Sequence, residues 1–234
     1  MVGALVPCRP SCESRPVATF RGFSDRALDF YAALATDNSR SFWGEHREVF
    51  ESEVRDPMRA LVEALEPEFG QCTVFRPHRD TRFSRDKSPY KTHQGAFAGI
   101  APGIGYYVQI DATGLLAGGG FLSHGSDQVT RYRDAVDEQS TGPQLAEIVA
   151  VLQGSGFAIE GEQLKTRPRG YAADHPRLDL LRRKSLMAVK TFGAPGWLDS
   201  PKALDEVRAT WRQVTPLSSW IAANVGPTEA ERTR

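Results

Sequence analysis

A chain of 234 residues is long enough for one well-buried core. With 40% hydrophobic and 25% charged residues it has the make-up of a soluble globular protein, and no apolar run approaches the roughly 20 residues of a membrane span. The 29 basic and 29 acidic side chains cancel, so global steering of nucleic acid is excluded and any anion site must be local.

Residues 1–20 carry Pro7, Pro10 and Pro16 among Ser and Arg and read as a disordered arm. The start lacks a basic, then uninterrupted apolar, leader pattern, so a cytoplasmic location is expected. Cys8, Cys12 and Cys72 make neither a disulfide framework nor a zinc pattern; no metal and no cofactor is expected.

A single domain is predicted over 21–225, followed by a frayed tail over 226–234. Ser24 is placed to cap a first helix with a stripe of Ala27, Leu28, Phe30, Tyr31 and Leu34. Asp37-Asn38 stops it. A second helix restarts at Ser39 or Ser41 and runs to about Val54. Asp56 then caps a third, with Pro57 at its first position. Eight carboxylates between Glu45 and Glu68 read as a solvated helix face. Phe42 and Trp43 read as core.

Val74 to Arg76 reads as a short strand, Thr92 to Gly99 as a second, and Gly105 to Asp111 as a third. A turn at Asp111–Gly114 leads to a return strand, Leu115 to Leu122. Gly118, Gly119 and Gly120 inside that strand predict a bulge, or a surface that another element or a ligand approaches closely. Helices follow over Asp127–Glu138 and Pro143–Leu152, then a short strand at Phe157–Ile159. Asp174-His175-Pro176 leads a short helix to Arg182, Arg183 and Lys184. Met187–Phe192 is the last strand, and Leu204–Ala222 the last helix. Helices, then strands, then helices argue an α+β fold: a mainly antiparallel meander packed by N-terminal and C-terminal helices.

Two basic stretches concentrate the polar chemistry. Arg76 to Lys91 holds six cations (Arg76, Arg79, Arg82, Arg85, Lys87, Lys91) against Asp80 and Asp86. Pro77 and Pro89 argue a structured loop. Arg forks match phosphate or carboxylate oxygens, and Lys adds a point charge. The second stretch, Lys165-Thr-Arg167-Pro-Arg169-Gly-Tyr171, continues to His175 and Arg182. Gly170 permits a positive φ beside its cations.

The run Arg79 to Thr92 resembles the signature of the microbial domain-of-unknown-function family numbered 2461. Asn38 with Phe42-Trp43 is similar to that family's N-terminal helix motif. Leu164–Tyr171, Asp174-His175-Pro176 and Leu180–Ser185 are similar to its second block. The resemblance spans about Phe23 to Ala222. It implies a fold and assigns no activity.

Both basic loops are expected to converge over one end of the sheet as a cationic cleft. Tyr90 and Tyr171 would be available for stacking, and the ligand would be phosphate-bearing, a nucleotide or nucleic acid. A second reading is an enzyme on a phosphorylated or carboxylated small molecule, with Asp80, Asp86 or His175 as acid or base and Arg82 or Lys87 stabilising charge. A third is structural: Arg and Asp side chains fix long loops, and the protein works through a partner.

Overall fold

The computed structural model describes residues 19–80, 82, 86–121 and 125–228. The arm predicted over 1–20 and the end of the tail therefore lie almost wholly outside the described residues. Phe20, at the arm's inner end, is buried edge-on against Phe23.

The N-terminal helices are α1 (Asp25–Thr36), α2 (Arg40–Val49) and α3 (Asp56–Phe69). Ser39 caps α2 by accepting the Phe42 N–H. Ser24 precedes α1 but caps nothing with its side chain; its hydroxyl donates to Glu53 at 2.7 Å. The predicted break before Asp56 does not occur. A π-helical segment, Phe50–Arg55, joins α2 to α3, and Asp56 itself is helical. Pro57 explains the wide turn. It brings no N–H, and its ring would strike the carbonyl four residues back in a regular α-helix.

Six strands form one antiparallel sheet in the order β1-β2-β3-β4-β6-β5. They are β1 (Cys72–Val74), β2 (His93–Ala101), β3 (Ile104–Asp111), β4 (Gly114–Phe121), β5 (Ala158–Glu160) and β6 (Leu186–Gly193). The fold is α+β and a single domain. β1 to β4 make the predicted meander, and β6 then enters beside β4, leaving β5 at the edge. Between β4 and β6 come α4 (Ser126–Asp137), α5 (Gly142–Gly154) and the single turn α6 (Leu178–Leu181). The chain closes with α7 (Lys202–Asn224).

Helix α7 crosses one face of the sheet and sets the core. Trp211 stacks on Tyr106 and donates its indole N–H to the Tyr107 carbonyl at 3.0 Å. Val214 and Ser218 sit over Gly119. On this face stand Ile104, Tyr106, Val108, Ile110, Leu115, Ala117 and Phe121, all buried. The bulges lie at Gly99/Ala101 and Leu115/Leu116, not at the glycine triplet. Gly119 instead admits α7, since a Cβ there would lie 2.8 Å from the Val214 Cγ2 and 2.9 Å from the Gly105 carbonyl oxygen. The opposite face differs. Phe97, Tyr107 and Leu116 point there, are only part-buried, and stand outside the continuous core.

Gly119→Ala is expected to destabilise the fold by about 1–3 kcal/mol, because a backbone oxygen cannot yield as a flexible side chain does. Urea unfolding followed by tryptophan fluorescence checks it; an unchanged midpoint would mean α7 has room to shift.

Candidate functional site

The loop between β1 and β2 is held by a clasp from the N-terminal helices. The Asn38 amide donates to the Tyr90 carbonyl at 3.0 Å and accepts the Tyr90 N–H at 3.1 Å. The Trp43 indole stacks on the Tyr90 ring, centroids 4.1 Å apart and planes 9° apart. His78 pairs with Tyr90 as an isolated bridge, and Arg79 and Lys91 hydrogen-bond across the same narrow hairpin to Pro89 and Pro77. Tyr90 is therefore a buried anchor, 6% exposed, and not the ligand-stacking ring proposed from sequence.

Beyond the clasp the polar groups turn to the open sheet face. Lys91 lies over the Phe75 ring, 5.2 Å from its centroid. Burial, and then the Arg76 guanidinium, hold the Lys91 ammonium below its ordinary pKa. Burial lowers the His93 pKa as well; Lys91 and Arg79 add to this and Asp111 opposes it. Arg76, Arg79, Lys91 and His93 thus gather at one corner. Arg79 pairs with Asp86. Neither Arg76 nor Lys91 makes an ion pair among the described residues. Asp86 is exposed and titrates down at about 2, chiefly because the Ser88 hydroxyl and N–H donate to it, with Arg79 adding to the effect. Asp80 is lowered by its pairing with Arg82, which closes at 2.7 Å. Lys87 is exposed, and Arg85 lies outside the described residues.

Four polar side chains that sequence reading did not single out, His93, Tyr107, Gln109 and Asp111, lie in or beside this corner. His93 faces Asp111 across β2 and β3. The Tyr107 hydroxyl donates to Gln109 at 2.7 Å, and the Gln109 amide donates to Asp111 at 2.9 Å. Asp111 also accepts the Thr113 N–H and hydroxyl. Burial, with Asp111 adding, pushes the Tyr107 phenol up to about 12, so it stays a donor at neutral pH. The alternation Tyr107, Gln109, Asp111 against buried Tyr106, Val108, Ile110 is the signal in the sequence that one side of β3 is not core.

The two basic loops do not converge. β1 ends and β2 begins at one end of the sheet, whereas β5 ends and β6 begins at the other. The loops also sit towards opposite edges: the nearest strands they join, β2 and β6, are three steps apart, or about 14 Å across the sheet. The second loop docks on α4. His175 Nε2 meets Asp137 at 3.0 Å, and its Nδ1 accepts the Arg177 N–H. Arg177, which sequence reading passed over, is buried and donates to the carbonyls of Val136 and Asp137, the last turn of α4. Arg182 donates to the carbonyls of Leu164 and Lys165. Tyr171 packs edge-on against His175, and burial raises its phenol pKa. Lys165, Arg167 and Arg169 are exposed, and Gly170 has the predicted positive φ, 92°. His175 and Arg182 thus satisfy backbone and helix-end groups.

Among the described residues, no three His, Cys, Asp or Glu side chains converge on a metal position, and no helix is long and apolar enough to cross a membrane. The Cys72 thiol is pushed up to about 12 by burial, then by Glu66, and is a poor nucleophile.

Fold and corner together define an α+β protein with clustered cations on an open sheet face. The chain belongs to the DUF2461 family, described as conserved hypothetical proteins, whose model matches residues 26–220. No curated protein and no solved structure matches the chain.

Two outcomes test this geometry. Asn38→Ala removes both bonds to Tyr90 and is expected to lower stability by about 1–3 kcal/mol, read as a lower Tm in calorimetry. His93 has a folded pKa below its unfolded value near 6.5, so the unfolded chain binds more protons just below that pH. Stability contributed by neutral His93 is whole above about pH 6.5 and is lost as pH falls towards the folded pKa. His93→Gln is expected to flatten the stability-versus-pH slope in that window; an unchanged slope would contradict the assignment.

Proposed function

We propose that the protein binds a phosphate-bearing ligand, a nucleotide or nucleic acid, at the corner formed by Arg76, Arg79, Lys91 and His93. One observation carries this reading: a single narrow hairpin brings Arg76, Arg79 and Lys91 to one corner with Lys91 over the Phe75 ring, and among the described residues Lys91 makes no ion pair while Arg76 acts on the Asp80 carboxylate only through space. Like charges held together cost free energy, and an anion placed between them reverses the sign of that term. The hairpin is closed by the Asn38 clasp, so the corner is positioned before a ligand arrives. The neutral net charge fits a local site in place of a basic surface.

The second basic loop belongs, in this reading, to the scaffold. Its Arg177 and Arg182 spend their donors on carbonyl oxygens. The structural alternative raised by the sequence thus describes this loop, while the anion-binding one describes the first.

Titration calorimetry with inorganic tripolyphosphate tests the proposal. Wild-type protein is expected to bind, with affinity falling as salt rises. Arg76→Ala and Lys91→Met are each expected to weaken binding about tenfold with Tm unchanged, consistent with 1.4 kcal/mol for one charge-assisted contact. Arg167→Ala and Arg169→Ala, on the far loop, are expected to leave it unchanged. Equal losses from both loops would show nonspecific attraction and defeat the assignment.

A further inference from the structure

The open sheet face beside the corner carries three aromatic rings. Phe97 and Tyr107 are direct cross-strand partners on β2 and β3. Phase along β1 puts Phe75 on the same side, and its ring lies 6.3 Å from Tyr107. All three are part-buried and stand outside the continuous core. Further along the same face Met187 and Val189 of β6 are buried, so the part-buried aromatic stretch is confined to the β1–β3 side. Here the rings are bordered by glycines. Gly95 lies against Tyr107, where a Cβ would come 2.7 Å from the phenolic oxygen. Gly118 is the β4 partner of Tyr107, and Gly99 and Gly105 pair with each other one step along. Tyr107 lies across Gly95 and Phe97 reaches over Gly99, so each ring takes the space a side chain would fill there and remains part-buried.

The cations stand at one end of the same platform. Lys91 sits over Phe75, the ring nearest the corner, and so ties the charged cluster to the aromatic row. Rings in series next to clustered Arg and Lys match the two parts of a polynucleotide: bases that stack and phosphates that pair with cations. A base stacks on such rings only when it is unpaired, because duplex bases have no free face. A mononucleotide engages one ring and leaves the others idle.

We propose that single-stranded nucleic acid is the ligand, its phosphates at Arg76, Arg79 and Lys91 and its successive bases stacked over Phe75, Tyr107 and Phe97. This rests on the anion-binding reading of the corner and specifies its ligand. The corner supplies charge; the platform supplies preference for unpaired bases. With three cations engaged, the logarithm of affinity falls against the logarithm of salt with a slope of only about −2, so binding persists where purely electrostatic contacts fade.

Fluorescence anisotropy with a labelled twelve-nucleotide oligothymidylate, its duplex with oligoadenylate, thymidine monophosphate and tripolyphosphate as competitors tests this. Phe97→Leu and Tyr107→Leu keep apolar bulk and remove the aromatic face; circular dichroism melting verifies that each variant is folded. Each is expected to weaken the oligonucleotide roughly 5- to 150-fold, the range for one lost base–aromatic stack, and to leave tripolyphosphate affinity unchanged. The duplex and the mononucleotide are expected to compete poorly. Oligonucleotide affinity unchanged in both folded variants would overturn the platform. So would a mononucleotide that competes as well as the oligomer. Tripolyphosphate binding without oligonucleotide binding would overturn the platform and keep the corner; binding of neither would overturn both.

Discussion

The clasp between Asn38 and the Tyr90 backbone is the constraint on which the first basic loop depends. Pro77 and Pro89 deprive the hairpin of two donors, so it cannot extend the sheet as a regular ladder. A side-chain amide, with one donor and one acceptor directed at the same residue, replaces the missing strand partner. The Trp43 ring then stacks on the Tyr90 ring and leaves these bonds part-buried. Hydrogen bonds gain strength in such surroundings, and leaving one unmade there is correspondingly costly. The consequence reaches across the loop: with Tyr90 turned inward, alternation along the hairpin sends Lys91 and His93 to the opposite side.

The same side-chain chemistry has two outcomes in this molecule. At Arg177 the guanidinium is buried and consumed by the last carbonyls of α4, groups that every helix leaves unsatisfied at its end. Arg182 does comparable work on the backbone of the second loop. The side chains of Arg76 and Lys91 make no hydrogen bond among the described residues, and Arg76 meets the Asp80 carboxylate only through space. Counting cations along the chain cannot distinguish these cases, because the acceptors for Arg177 come from residues 40 and 41 positions away.

Glycine decides how the sheet is used on each side. At Gly119 its missing side chain lets α7 settle on β4, which buries Tyr106 and Trp211 against each other. At Gly95, on the other face, the missing side chain lets the Tyr107 ring lie across the sheet. One sheet thus presents a packed hydrophobic side and an aromatic, polar side. The network of Tyr107, Gln109 and Asp111 marks the boundary between apolar platform and charged corner.

Most of the fold could be read from sequence. Period-two alternation in β3 and the helical stripes of α1 and α7 are local signals, so element type and the antiparallel order followed from residues near one another. The break predicted before Asp56, which does not occur, has a local cause too: Pro57 usually starts a helix, and here a π turn absorbs it within one. What the sequence could not determine was placement. The position of β6 between β4 and β5 puts the second basic loop at the far end of the sheet, and that pairing joins residues about 70 positions apart. Alternation marks the apolar side of β3 but could not say that α7 would be the element to cover it. Only tertiary packing made Tyr90 an anchor, His175 a prop for α4, and His93 with Lys91 the groups that face outward, because burial and partner choice depend on contacts between segments distant in the chain.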